Sequence, residues 1–513
     1  MHLKKFARSF WLSGTTALVL SVPVSISTAS VGLAQTKVAF QVGSQVGAFS
    51  QAVAAAASED QAIAKFYRDS NYAPIWTGDD QAKRRTELLS VLSGAGAHGL
   101  PVGRYDPQSL IAAFRAARTE GDRGRLDVMM TAAMLDYARD VQTGILTPSD
   151  VLKNIVREVP VRDRYANLVA FMASEPMAFF NSLPPKTQAY AQMMKTKFEL
   201  EKLELGKGWG AQVEAKSLKP GDVGPAVLQL RDRLIALKYL QRSVTASYDG
   251  AIQTAVQAFQ TDTGLEADGV AGAGTIAQIN IEPGERLKSV VVAMERERWM
   301  NIERGKRHIW VNLTDFTAKI IDNGKITFAT RSVIGKNQSD TESPEFSDVM
   351  EYMAINPTWN VPRSITTKEY LPMLKRNPNA VSHIDVIDRR GRIVPRSSVN
   401  FASFTERNFP FSMKQAPSNS NALGLVKFMF PNKHNIYLHD TPSKSLFARE
   451  VRAFSHGCIR LSDPFDFAYA LLAVQSDDPV GEFQRLLKSG RESNLALVNP
   501  VPVHLVYFTA YPS

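Results

Sequence analysis

Residues 307–335 read RHIWVNLTDFTAKIIDNGKITFATRSVIG. Apolar and polar side chains alternate on both sides of Asn323-Gly324. That dipeptide is the strongest short-range signal for a two-residue hairpin turn. The stretch therefore predicts two paired strands. The same pattern returns in SDVMEYMAINPTWNVP (347–362), LVKFMF (425–430), HNIYLHD (434–440) and PVHLVYFTAY (502–511). Short strands separated by turn signals predict a sheet-rich barrel or sandwich over residues 306–513. Between two of these runs lies 364–421, rich in Arg, Asn, Ser and Pro. Loops beyond about 15 residues are uncommon in compact domains and often serve as active-site lids. A lid is the expectation here, with a disordered insertion as the alternative.

Upstream the period is helical. Residues 59–205 predict an all-helical scaffold, with Leu88, Leu89, Leu92 and His98 near helical spacing. Leu126, Met129, Met130, Ala133, Tyr137 and Val141 form an apolar face, and a later helix is started by the prolines of NSLPPKTQAY. Residues 35–58 carry few charges and few large apolar groups, which predicts a flexible tether. A linker then leads to a unit at 218–280. There Val227, Leu230, Leu234 and Leu237 line one helix, Ile252, Val256 and Phe259 line a second after the turn YDG, and a Gly-rich turn opens a third. The predicted fold class is multidomain α+β: a helical N-terminal scaffold, a three-helix module and a mainly-β domain with a lid insertion.

The first residues bear on compartment. Lys4, Lys5 and Arg8 precede a short apolar run from Trp11 to Val22, and Gly32-Leu33-Ala34 offers small residues for cleavage, so 1–34 is expected to be a signal peptide. A membrane anchor is the weaker alternative, because Ser and Thr interrupt a run shorter than the ~20 residues that span a bilayer. The mature chain is expected to be exported to the periplasm, without a transmembrane segment. The formal net charge is +10. Lys4, Lys5 and Arg8 supply three of those charges, so a chain starting at residue 35 carries +7. That excess suits an anionic polymer, and no block of like charge marks a nucleic-acid surface.

The chain has one cysteine, Cys458, in AFSHGCIRLSDP (453–464). A lone thiol in an oxidising compartment has no partner within the chain. Alternation in HNIYLHD sets Ile436 and Leu438 against Tyr437 and His439, so His439 is expected to leave the core at a strand end. Asp463 and Pro464 predict a helix N-cap and first turn, which would place Cys458 just before a helix N-terminus whose dipole favours a thiolate. An imidazole near the sulfur can take and return its proton. The N–H groups of Gly457 and Cys458 could hold an oxyanion, and Gly457 leaves room for an approaching carbonyl. His456 and Cys458 would face the same side of an extended segment. Two other readings stay open on these residues alone: a zinc site using His434, His439, His456 and Cys458, and an inert buried thiol.

Two resemblances add to this. LKPGDVGPAVLQLRDRLIALKYL (218–240) with YDGAIQTAVQAFQTDTGLEADGVAGAGTIAQI (248–279) resembles the three-helix peptidoglycan-binding module of cell-wall enzymes, at Gly221-Asp222, Ala255, Val256, Phe259, Gln260, Leu265 and Asp268-Gly269. IYLHDTPSKSLFAREVRAFSHGCIRLSDP (436–464) resembles the catalytic signature of the L,D-transpeptidases (YkuD-type), in their large branch with a scaffold, a wall-binding module and a lid. The resemblance implies Cys458 as nucleophile, His439 as proton donor and acceptor, His456 as support and the Gly457 N–H in the oxyanion site. Arg460, Ser455, Tyr437 and Trp359 are the expected substrate-binding residues. It implies no cofactor and no metal. The implied partners are peptidoglycan stems, a tetrapeptide donor and an amine acceptor joined in a 3–3 cross-link, with carbapenem-type β-lactams as covalent inhibitors. Hydrolysis of the same thioester by an L,D-carboxypeptidase or endopeptidase is the alternative reaction. A non-catalytic wall-binding protein is the alternative class.

Overall fold

The structure, a computed structural model, describes residues 47–338 and 340–511. The expected signal peptide and residues 35–46 of the expected tether lie outside the described residues. Residues 48–58 do not form a tether. Ala48–Ala56 is a helix with Val53 buried, packed on the helix Glu120–Thr143. Contact is made through small residues: a Cβ on Gly124 would lie 2.6 Å from the Phe49 carbonyl oxygen. Close approach of two backbones needs no large apolar side chains, so the pattern carried no periodic signal.

Glu120–Thr143 opens with a capping box between Thr119 and Asp122. It buries Leu126, Met130, Met134, Tyr137 and Val141, while Met129, expected on that face, is 42% exposed. On the buried side Asp127 accepts from the Tyr67 hydroxyl (2.6 Å) and from the amides of Ile75, Trp76 and Thr77. The later helix, Gln188–Glu204, starts from Thr187, whose hydroxyl caps the Tyr190 amide. The prolines expected to start it lie outside.

The three-helix unit consists of Pro225–Ala236, Gly250–Asp262 and Ala273–Ile279. Gln260 ties it together. Its amide nitrogen donates to Asp268 Oδ1 and the Val270 carbonyl, and its oxygen accepts from the Gly269 N–H. Gly269 has φ +72, a conformation that favours glycine. The Gln and the Asp-Gly turn are thus one structural device.

A helix the pattern did not single out, Pro283–Trp299, follows. Its last turn, Glu295-Arg296-Glu297-Arg298, is a run of four charged residues, and all four are buried. Glu295 accepts from the Ile145 and Leu146 amides and from Arg298 and Trp299. Arg298 reaches the His98 carbonyl. Arg296 pairs with Glu345, which also meets Arg157 at 3.5 Å. This run therefore bridges the helical region and the sheet.

The sheet has strands β1 (Arg307–Asn312), β2 (Thr317–Asp322), β3 (Lys325–Gly335), β4 (Phe346–Ile355), β8 (Val426–Met429), β9 (Leu438–His439), β10 (Ala453–Ser455), β11 (Ile459–Leu461) and β12 (Ser493–Val506). They pair in the order β10-β3-β11-β9-β8-β4-β12-β1-β2, and β2 also pairs with β3. Eight of the nine strands thus close into a ring, a barrel with β10 beside it. The Asn323-Gly324 turn has φ of 50 and 79, which suits the twist of a tight hairpin. Ile309, Val311, Met353, Phe428, Leu438 and Ile459 fill the core.

The expected lid is neither loop nor disordered insertion. Residues 359–423 carry β5 (Trp359–Asn360), β6 (Asp385–Ile387) and β7 (Ser412–Gln415), paired in the order β5-β7-β6. Leu371, Leu374, Val386, Phe401, Phe409 and Met413 give them a core of their own. These apolar residues are too widely spaced to show a period among the polar ones.

Glu345→Ala leaves Arg157 and Arg296 buried without their carboxylate. Removal of one partner from a buried ion pair costs about 3–5 kcal/mol, so the urea midpoint of the transition reporting on the barrel should fall accordingly. Glu345→Asp should lose less.

Candidate active site

Cys458 sits in the turn between β10 and β11. Gly457 has φ +110, and a Cβ there would meet Ile436 Cδ1 at 3.1 Å. The glycine is therefore required by backbone conformation and packing beneath the turn, rather than for clearance of a carbonyl. Ser455, 2% exposed, staples the turn. Its hydroxyl donates to the Cys458 carbonyl (2.6 Å) and accepts from the Gly457 N–H (3.1 Å). The Gly457 carbonyl accepts from Ser343 Oγ at 2.6 Å. Two expectations change. The Gly457 N–H is already bonded and is not free for an oxyanion, and the Ser455 hydroxyl is committed to the turn rather than to substrate. Among the described residues no acceptor takes the Cys458 N–H, so that donor remains.

The expected helix dipole is also displaced. β11 intervenes between Cys458 and the helix Pro464–Leu472, and a dipole acts only over the last turn. Asp463 holds the N-cap position, but its carboxylate accepts from Thr330 Oγ1 (2.8 Å) instead of capping.

Strand pairing supplies the geometry. β9 and β11 are parallel, with Ile459 opposite Leu438 and Arg460 opposite His439. β8 and β9 are antiparallel, with Lys427 opposite His439. Lys427, His439 and Arg460 therefore form one row across three strands, each about 4.8 Å apart. Tyr437 and Cys458 continue the same face one step along. All five line a cleft of about 790 Å³ between barrel and lid.

His439 does not leave the core for solvent; it is 4% exposed at the floor of this cleft. Its Nδ1 lies 2.5 Å from the Asp440 carbonyl. A carbonyl only accepts, so Nδ1 carries the proton and Nε2 is left as an acceptor. Burial first, then the positive charges of Arg460 and Lys427, push its pKa down to about 3. Asp440 is held in turn by the Thr441 and Leu425 amides and by Lys444. Burial pushes the Cys458 thiol up, against the opposing pull of the Tyr437 amide and hydroxyl, Lys427 and Arg460. The resting pair is thus a neutral thiol and a neutral imidazole, not a preformed thiolate.

His456 lines the cleft through the Gly457 turn rather than an extended segment. Its Nε2 donates to Glu369 Oε1 at 2.6 Å, so it is tied to the lid. Glu369 lies in a π-helical turn, Thr366–Tyr370, a device frequent at functional sites. Beside it Lys368 pairs with Asp340 at 3.0 Å. Trp359 lines the lid side, edge-on to Tyr370 at 6.3 Å. The remaining zinc candidate, His434, packs its ring on Phe346 at 5.1 Å. All four candidate donors line the cleft, but among the described residues no three His, Cys, Asp or Glu side chains are grouped to hold a metal ion.

Lys427 and Glu369 of the cleft escaped the sequence reading. Lys427 had a signal: in LVKFMF it alternates against Val426 and Phe428, as His439 does against Leu438. Glu369 had none, because only the fold of the lid brings it to His456.

Labelling of Cys458 by iodoacetamide should be slow at neutral pH and climb only above pH 9, since the thiol is raised above that ordinary value. The low-pH limb should show no step near the ordinary histidine value of 6.5, because His439 stays neutral until about pH 3. Intact-mass labelling across pH checks both.

Comparison with known proteins finds three domains along the chain. Residues 306–480 match the L,D-transpeptidase catalytic domain, 223–279 the peptidoglycan binding domain and 61–196 the scaffold domain. A Haemophilus influenzae protein described as an L,D-transpeptidase is 30% identical over 222 residues, 43% of this chain and 44% of that one, so the chain matches under half of that relative's length. L,D-transpeptidase structures from Xylanimonas cellulosilytica and Stackebrandtia nassauensis are 16% and 14% identical. Each covers 58% of this chain, with 98% and 97% of their own, at TM-scores of 0.19 and 0.21, too low to add weight. Residues 306–480 are an L,D-transpeptidase catalytic domain, in a chain that also carries a scaffold domain and a peptidoglycan binding domain.

Proposed function

We propose that the chain forms 3–3 cross-links in peptidoglycan through a thioester on Cys458. The observation that carries this is the strand register that sets His439, with Nε2 unprotonated, on the same face as Cys458 and two residues along from it, at the floor of a cleft. In the first half-reaction Nε2 takes the thiol proton as sulfur bonds to the carbonyl of the third residue of a tetrapeptide stem. The oxyanion is met by the Cys458 N–H and the Tyr437 hydroxyl. The proton then passes to the leaving nitrogen, the C–N bond breaks and D-alanine departs. In the second, a side-chain amine of another stem attacks the thioester, His439 takes its proton, and the thiol is restored.

Arg460 supports this reading as a cation without an acidic partner: its Nε is buried and unbonded among the described residues. The 218–280 unit is proposed to hold the wall, export to the periplasm to bring the two together, and carbapenem-type β-lactams to acylate the same sulfur. No helix among the described residues is long and apolar enough to cross a membrane.

Cys458→Ala should abolish 3–3 dimers with an unchanged circular dichroism spectrum. His439→Ala should cut turnover by about 10²–10⁴-fold while leaving the thiol open to strong electrophiles. The assay is mass analysis of muropeptides from tetrapeptide-rich wall. Dimers made by Cys458→Ala would sink the assignment.

The lid bears on the choice between amine and water. A thioester must be shielded from water until the amine arrives, and the Glu369–His456 contact holds the lid over the sulfur. Glu369→Ala should lower the ratio of cross-linked dimer to tripeptide product several-fold at an unchanged acylation rate. An unchanged ratio would mean that this contact does not guard the acyl-enzyme.

A further inference from the structure

Lys427 has no role in the steps above, yet it is built into the cleft. It is half-buried, on β8, directly opposite His439 in register. Its Nζ lies 3.8 Å from the centre of the Tyr437 ring. It forms no ion pair among the described residues. Among the described residues the groups that pull its charge the other way are Cys458 and exposed Glu492, and no carboxylate pairs with it. On the other side of His439, Arg460 is likewise without a counter-ion. The cleft that holds the nucleophile thus contains two unpaired cations in one row, flanking the imidazole. Desolvated cations are ordinarily paired. Here burial lowers the pKa of Lys427, and the opposing pull of Cys458 and Glu492 does not offset it.

We infer that Lys427 and Arg460 together form a carboxylate subsite for the donor stem, and that Lys427 selects donors carrying a free carboxylate within one residue of the scissile bond. The inference rests on the thioester reading of Cys458. Two carboxylates have this chemistry: the one ending the leaving residue, and one on the side chain of the third residue. An anion between the two cations also alters the imidazole between them. It offsets the positive charge that opposes protonation of His439, so binding of the correct donor makes the base more ready to take the thiol proton. A donor lacking the carboxylate therefore loses rate as well as affinity.

The test uses full-length protein and three synthetic tetrapeptide donors: the free acid, its C-terminal carboxamide, and a side-chain carboxamide at the third residue. Thioester formation on Cys458 is followed by intact mass, with wild type, Lys427→Gln and Lys427→Arg. Wild type should favour the free acid over one of the two amides by about 10- to 100-fold in kcat/KM, the scale of a hydrogen bond to a charged group. The amide that suffers identifies the carboxylate. Lys427→Gln should lose that factor on the acid and little on the sensitive amide, and Lys427→Arg should recover part of it. The iodoacetamide pH profile of Lys427→Gln separates a second role. Equal losses on all three donors, with that profile moved to higher pH, would make Lys427 a thiolate stabiliser and overturn the subsite. Wild type that treats all three donors alike would overturn it too. Absence of any thioester in wild type with all three donors would overturn the underlying reading as well.

Discussion

The site depends on one short strand pairing. β9 and β11 meet over two residues, and their parallel register decides that Cys458 and His439 share a face and a cleft. Nothing within so short a pair would hold that register against slippage, and a shift of one residue would turn the imidazole into the core. The register is held from outside. β3 and β8 flank the pair in a closed ring, Leu438 and Ile459 are anchored in the core, and the Ser455 and Ser343 hydroxyls brace the turn that carries the sulfur. Closing the ring also leaves the central strands without a free edge.

Electrostatics follow from that placement. A row of Lys427, His439 and Arg460 puts an imidazole between two cations in a desolvated floor. The imidazole is kept neutral, and burial keeps the thiol protonated. On the proposed mechanism the nucleophile is made at the moment of attack rather than stored as a thiolate.

The lid and the helical region bind to the barrel by different means. The lid has its own core and reaches the site through charged contacts at its first helical turns, Lys368 with Asp340 and Glu369 with His456. Such partly exposed pairs are individually weak. The helical region is held by the buried Arg157–Glu345–Arg296 group, where loss of one partner leaves charge stranded.

The sequence by itself determined the strand alternation, the Asn323-Gly324 hairpin, the three-helix unit and the identity of Cys458 and His439 as candidates. Each of these is local: a period of two, a turn that demands positive φ, a helix face, a short motif. It also carried Lys427, in an alternation that was legible but had no meaning before His439 lay opposite. What only the tertiary structure decided is where hydrogen bonds and charges go. The Gly457 N–H and Ser455 hydroxyl are used by the turn, the helix dipole is moved away by β11, and Glu369 reaches His456 across 87 residues of chain. The helix Ala48–Ala56 and the buried charges of Glu295–Arg298 were hidden for the same reason. A glycine cleft or an opposing carboxylate is supplied by a distant segment, and a residue's own neighbours in sequence hold no record of it.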